Sequence, residues 1–166
     1  HMFYFSAKAA DEWKEALFEW LDNNVDPGTG RLKKGAFPKT LRMHIGGGSH
    51  IWPVYEHTGH PFPYPEKVID SILELAQENG SFGKMGSFIQ VDALHGLKVM
   101  CSQLPDYRSE EIKELNSLHW SWLEEQINAF LFSKPDIHTM LAVCDEIGVL
   151  NQLGIAEDSV EWTDHF

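Results

Sequence analysis

Asp92 and His95 stand three residues apart in Ile89-Gln90-Val91-Asp92-Ala93-Leu94-His95, a stretch with the apolar spacing of a helix. Residues three apart share a helical face. The carboxylate can therefore raise the imidazole toward neutrality, with His95 transferring a proton and Asp92 orienting it. The competing reading makes Asp92 a first-turn residue favoured by the helix dipole and His95 a satisfied, half-buried side chain.

Other polar groups gather at the starts of helices. His44 and His50 flank Gly46-Gly47-Gly48, Gln90 opens the Asp92 helix, and Asp136 and His138 open a later one. Free backbone N–H groups at such ends favour polar or anionic ligands. The triple glycine either lets a ligand approach the backbone or lets two helices pack closely. It has neither the preceding strand of G-x-G-x-x-G nor the Gly-Lys-Ser/Thr of a P-loop. Trp52 and Tyr55, with Phe62 and Tyr64, are placed to line a sugar-binding or apolar pocket. His44, His50, His57 and His60 do not form a ligand set, because His57 and His60 reach helical spacing only across Gly59. No metal and no cofactor are expected.

The elements that must position these residues are helices. Ala9, Trp13, Ala16, Leu17, Trp20 and Leu21 recur at three- and four-residue steps and predict an amphipathic helix over 7–24, capped by Ser6 and stopped by Asp26-Pro27-Gly28-Thr29-Gly30. A loop follows over 33–40. A short helix over 48–56 places Pro53 in its first turn. Thr58-Gly59-His60-Pro61-Phe62-Pro63-Tyr64-Pro65 is an extended connector, and Pro65 opens a helix that runs to Gly80. Helices over 89–104 and 109–132 follow, then one from the Asp136 cap to 150. Trp13, Trp20, Trp120, Trp122, Phe130 and Phe132 are expected in the core.

The chain of 166 residues is 43% hydrophobic and 23% charged, which suits one folded domain over 1–166. Residues 1–6 form an N-terminal segment in which His1-Met2 reads as a cloning remnant, and 154–166 form an irregular acidic tail. A net charge of -12 repels polyphosphate and acidic lipid, so neither nucleic acid nor membrane is an expected partner. Cys101 and Cys144 lack metal-ligand spacing and are expected as buried reduced thiols, which favours a cytoplasmic setting.

The even-numbered helices begin near His44 to Gly48, Ile89 and Ile137, about 45 residues apart, a period typical of helical-hairpin arrays. The odd-numbered helices carry most of the charge, so the even ones are expected to form an inner layer. Ile72-Leu73-x-x-x-Gln77 followed by Gly80-Ser81-Phe82-Gly83 resembles the glutamine/aromatic repeat of the α/α-toroid superfamily, in its terpene cyclase and prenyltransferase branch. Trp20-Leu21 with Gly28-Thr29-Gly30 is a weaker copy. An aromatic is expected where Ile72 stands, the spacing from Gln77 to the glycine is one residue short, and the third repeat has no such turn.

The resemblance implies an all-α fold of three antiparallel helical hairpins forming an arc, half of an α/α toroid. It does not carry over cyclase or prenyltransferase activity, because the Asp-x-Asp-Asp acid and the Asp/Cys/His zinc set are both missing. Two functions remain. One is a small-molecule site, catalytic or not, on a concave face built from His44, His50, Trp52, Tyr55, Gln90, Asp92, His95, Asp136 and His138, taking a polar or carbohydrate-like ligand. The other is a scaffold domain whose homodimer completes a ring.

Overall fold

A computed structural model describes residues 10–32 and 40–154. These residues form seven helices: α1 (Asp11–Asn24), α2 (Leu41–Gly48), α3 (Trp52–Thr58), α4 (Pro65–Leu75), α5 (Ile89–Gln103), α6 (Ser109–Phe132) and α7 (Ile137–Gln152). The fold is all-α. Among the described residues no strand forms, and Val25 and Leu32 make one isolated antiparallel bridge around the Pro27 turn. The expectations for the N-terminal segment over 1–6 with its Ser6 cap, for 33–39 and for the tail beyond 154 lie outside the described residues.

Helix α5 is the hub. It packs against α2, α3, α4 and α7, and Ile89, Gln90, Ala93, Leu94, Gly96, Leu97, Val99 and Met100 are all buried. A helix buried around most of its circumference has no broad polar face. What remains is a narrow stripe, Asp92, His95 and Lys98, at three-residue steps.

The Trp52 indole, 1% exposed, lies between two helices that can approach it only because they present glycine. A Cβ on Gly48 would sit 2.2 Å from Cζ2, and one on Gly96 would sit 2.6 Å from Cζ3. Close packing thus accounts for the last glycine of the Gly46-Gly47-Gly48 run.

Three elements differ from expectation in their bounds. Where one helix is expected over 48–56 there are two, because the Thr40 side chain accepts the Met43 N–H and starts α2 at Leu41, seven residues earlier. Pro53 does fall in the first turn of α3. Helix α1 begins at Asp11, not residue 7. Helix α4 ends at Leu75, because Gln77, Asn79, Gly80 and Ser81 close a hydrogen-bonded turn of their own: Gln77 N–H donates to Ser81 O, Gly80 N–H to Gln77 O, and Ser81 hydroxyl reaches Gln77 and Asn79. Gly80 adopts φ of 81°, and a Cβ there would lie 2.5 Å from the His119 backbone nitrogen.

Three expectations of burial also fail. Trp13 and Trp20 are 50% and 57% exposed, while Phe18 is buried, stacked on His60 with ring centroids 4.0 Å apart. Trp20 lies about 200° around the helix from Phe18, so both cannot face the core. Phe132 is 86% exposed. Cys101 is half-buried and Cys144 exposed, and both thiols are free.

Candidate functional site

The polar stripe of α5 meets α3 and the turn between α2 and α3. His95 Nε2 lies 3.0 Å from Glu56 Oε2, and Lys98 Nζ lies 3.1 Å from Glu56 Oε1. The hydrogen bond from His95, aided by Lys98, outweighs partial burial and holds the Glu56 carboxyl down to about 2. An ionised carboxylate only accepts, so Nε2 carries the proton that bridges to Glu56.

Asp92 shifts the opposite way. Burial pushes its carboxyl up, against the Ser49 hydroxyl and the charges of His50, His95 and Arg42. Ser49 also donates to Gly46 O at 2.8 Å, and a single hydroxyl proton serves one acceptor at a time. Two carboxylates beside one imidazole are therefore driven apart, Glu56 toward permanent ionisation and Asp92 toward proton affinity. Such divergence separates an orienting group from an acid/base group.

The starts of α2, α5 and α7 approach one another at residues 86–88. Arg42 in the first turn of α2 donates to Ser87 Oγ at 2.8 Å, Phe88 lies 4.6 Å from the His138 ring, and a Cβ on Gly86 would meet Thr139. Asp136 caps α7 by accepting the Thr139 N–H at 2.9 Å, which holds its carboxyl low. Both Asp136 and His138 are exposed.

The residues singled out from sequence thus divide. His50, Asp92 and His95 come together, joined by Arg42, Ser49, Glu56 and Lys98. His44 is 5% exposed and faces Arg31 instead, and burial together with that guanidinium lowers its imidazole to about 4. Trp52, Tyr55 and Gln90 belong to the core. Tyr55, 1% exposed, donates its hydroxyl to Asp22 Oδ1 at 2.8 Å. Gln90, fully buried, accepts the Phe82 N–H at 2.8 Å and donates to Gly83 O at 3.1 Å, clamping the loop ahead of α5.

Two features had no local signal. Glu56 reaches His95 across 39 positions of sequence, and nothing around it marks it as a partner. His119 and Glu146, both fully buried, pair at 2.7 Å while His119 Nδ1–H donates to Gly80 O at 2.9 Å. Burial raises the Glu146 carboxyl, and His119 opposes that rise. With no access to solvent, this pair ties α6 and α7 to the Gly80 turn.

Among the described residues no cluster of three or more His, Cys, Asp or Glu is arranged to hold a metal ion. Among them, too, no helix is long and apolar enough to cross a membrane. No family model, curated protein or solved structure matches the chain.

Proposed function

We propose that the stripe Asp92, His95 and Lys98, with Glu56, Ser49, His50 and Arg42 around it, binds a small polyhydroxylated, carbohydrate-like ligand. The observation that carries this is the placement of the stripe: on a hub helix buried around most of its circumference, its polar side chains meet others of both charge signs. Alternating donors and acceptors suit hydroxyl groups, each of which donates once and accepts twice. In this reading Asp92 exchanges a proton with a ligand hydroxyl, and Glu56 orients His95. The protein is then a ligand-binding, enzyme-like arc of three hairpins, half of an α/α toroid, in a reducing cytoplasmic compartment that suits its two free thiols.

The test is a calorimetric and NMR titration with mono- and disaccharides. Binding should perturb the Asp92 and His95 resonances, and Asp92→Asn should weaken it at least tenfold while leaving the urea midpoint within experimental error. Saccharides that leave wild-type resonances unmoved, or that bind Asp92→Asn equally well, would refute the proposal.

One observation favours a scaffold that homodimerises. Leu131, Phe132, Ile137 and Leu141 around the α6–α7 turn are 48%, 86%, 88% and 45% exposed. Apolar groups gathered at one end of a helical pair are the kind of surface a partner covers. If a second copy covers them, light scattering gives twice the chain mass and Phe132→Asp halves it. A monomeric wild type would remove this reading.

A further inference from the structure

Helix α1 has a face that the rest of the described fold leaves uncovered. The extensive helix–helix contacts of the described residues join α5 to α2, α3, α4 and α7 and join α2 to α4, and none involves α1. Helix α1 is held instead by the Phe18 ring stacked on His60 and by Asp22, which accepts the Tyr55 hydroxyl at 2.8 Å. Trp13 and Trp20 lie well around the helix from Phe18, and each is at least half exposed.

Seven positions of helix put the two indoles within about 20° of each other and roughly 10 Å apart along the axis. Exposed Ala16 and half-buried Leu17 lie between them on the same side, so the four make one apolar strip. Single apolar residues on a surface need no explanation. Two large indoles in register at helical spacing are the kind of anchors that a partner covers.

The strip has two unlike borders. On the core side it runs into Leu21 and Phe18, which are buried. On the solvent side it meets Glu12 and Glu19, with Glu15 beyond them, and all three are exposed. Lys14, the only cation of α1, lies on the core side and pairs with Asp11 at 3.3 Å. A second copy docked through this face would lay the same acidic row against it, on a chain that already carries a charge of -12. Nucleic acid and acidic lipid are repelled for the same reason.

We propose that this strip docks a basic amphipathic helix of another protein. The partner's apolar residues, at steps of three and four, cover Trp13 and Trp20, and its Lys or Arg flank faces Glu12, Glu15 and Glu19. Contact with the indoles supplies the affinity, while the carboxylates set the orientation and speed the encounter. The polar stripe of α5 takes no part.

The probe is a synthetic peptide of leucine and lysine alone, patterned so that its leucines form one helical face, and the control is the same composition in scrambled order. Titrated into the full chain labelled with fluorotryptophan, the patterned peptide should shift the Trp13 and Trp20 fluorine signals saturably. The expected Kd is on the order of ten micromolar, as for a small transient interface. The scrambled peptide should bind at least tenfold more weakly, because it cannot present an apolar face to both indoles. Raising sodium chloride should weaken the patterned peptide about fivefold by screening the carboxylates.

By calorimetry, Trp13→Ala/Trp20→Ala should bind the peptide at least tenfold more weakly while its urea midpoint stays within error of wild type. Glu12→Gln/Glu15→Gln/Glu19→Gln should lose about fivefold and most of the salt dependence, and it serves if the indole variant does not fold. Asp92→Asn should bind as wild type does, which separates this surface from the stripe. Equal binding of the patterned and scrambled peptides, or of wild type and the indole variant, overturns the proposal. So do shifts confined to the other tryptophans. Trp13 and Trp20 signals that move on dilution of the chain alone would assign the strip to a second copy, and signals that a soluble paramagnetic agent fails to broaden in the free chain would assign it to the chain's own residues. Either of these also overturns it.

Discussion

Alanine at Gly48 and alanine at its neighbour Gly47 should change stability in opposite directions. Both residues are helical in α2, so intrinsic propensity favours alanine at each by up to about 1 kcal/mol. Their surroundings differ. A Cβ on Gly47 meets nothing within 4 Å, whereas one on Gly48 would lie 2.2, 2.5 and 2.8 Å from three atoms of the Trp52 ring. The ring has no slack, because on its far side Gly96 already sits where a Cβ would fall 2.6 Å from Cζ3. Retreat from Gly48 drives the indole into α5, the helix that most of the core is built on.

Overpacking typically costs about 1–3 kcal/mol, and contacts this short on a ring without slack belong at the upper end, so Gly48→Ala should destabilise by about 1–2 kcal/mol after the propensity gain is subtracted. Gly47→Ala should stabilise by about 0.5–1 kcal/mol, its place near the helix end trimming the full effect. Urea unfolding followed by circular dichroism reads both, with unchanged m showing that the native state keeps its compactness. Trp52→Phe removes the ring atoms in conflict, so in a double-mutant cycle it should be less damaging in the Gly48→Ala background than alone. A Gly48→Ala protein as stable as wild type, or a Gly47→Ala protein that is less stable, would show that the indole is not held between these glycines.

His44 gives a pH signature: with its imidazole lowered from 6.5 to about 4 in the folded state, only the unfolded chain takes up its proton between those values. Stability contributed by His44 is complete above pH 6.5 and falls by about 3 kcal/mol as pH drops to 4, so His44→Gln should flatten urea midpoints across that window. His119→Ala strands Glu146, whose Oε2 already lacks a hydrogen-bond partner among the described residues, and should cost about 3–5 kcal/mol. His119→Ala/Glu146→Leu should recover part of that loss, and a double variant no more stable than the single would argue against a stranded carboxyl.

The elements that chain-local chemistry controls were legible in the sequence. Pro65 opens α4, Asp136 caps α7, and α6 spans 109–132 as its acidic first turn and the Ser133-Lys134-Pro135 break require. The misread positions are those where a tertiary contact chose between options that the sequence left equal. Spacing admits either Trp13-Trp20 or Phe18-Leu21 as the buried face of α1, and the stack of Phe18 on His60 selects the second. The start of α2 was hidden because three glycines argue against a helix, and what offsets them is the Thr40 cap together with, at Gly48, the Trp52 ring of the next element.

The same limit governs the site. Asp92 and His95 share a helical face by their spacing alone, but the carboxylate hydrogen-bonded to the imidazole is Glu56, whose position depends on how α3 docks. Consecutive residues of α3 reach in opposite directions, Tyr55 to Asp22 at the end of α1 and Glu56 to His95 and Lys98 on α5. Asp22 in turn holds His60 at 2.9 Å, so the connector leaving α3 is tied to the same carboxylate.

With Trp52 and Val54 also buried, this seven-residue helix is anchored on both sides, and Glu56 inherits a position set by the core. An orienting group gains precision when it stands on a rigid element. In the proposed site Glu56 therefore places His95, which leaves Asp92, a turn earlier on α5, as the group to exchange a proton. Loosening α3 from α1, as Tyr55→Phe would, should disturb His95 without touching it.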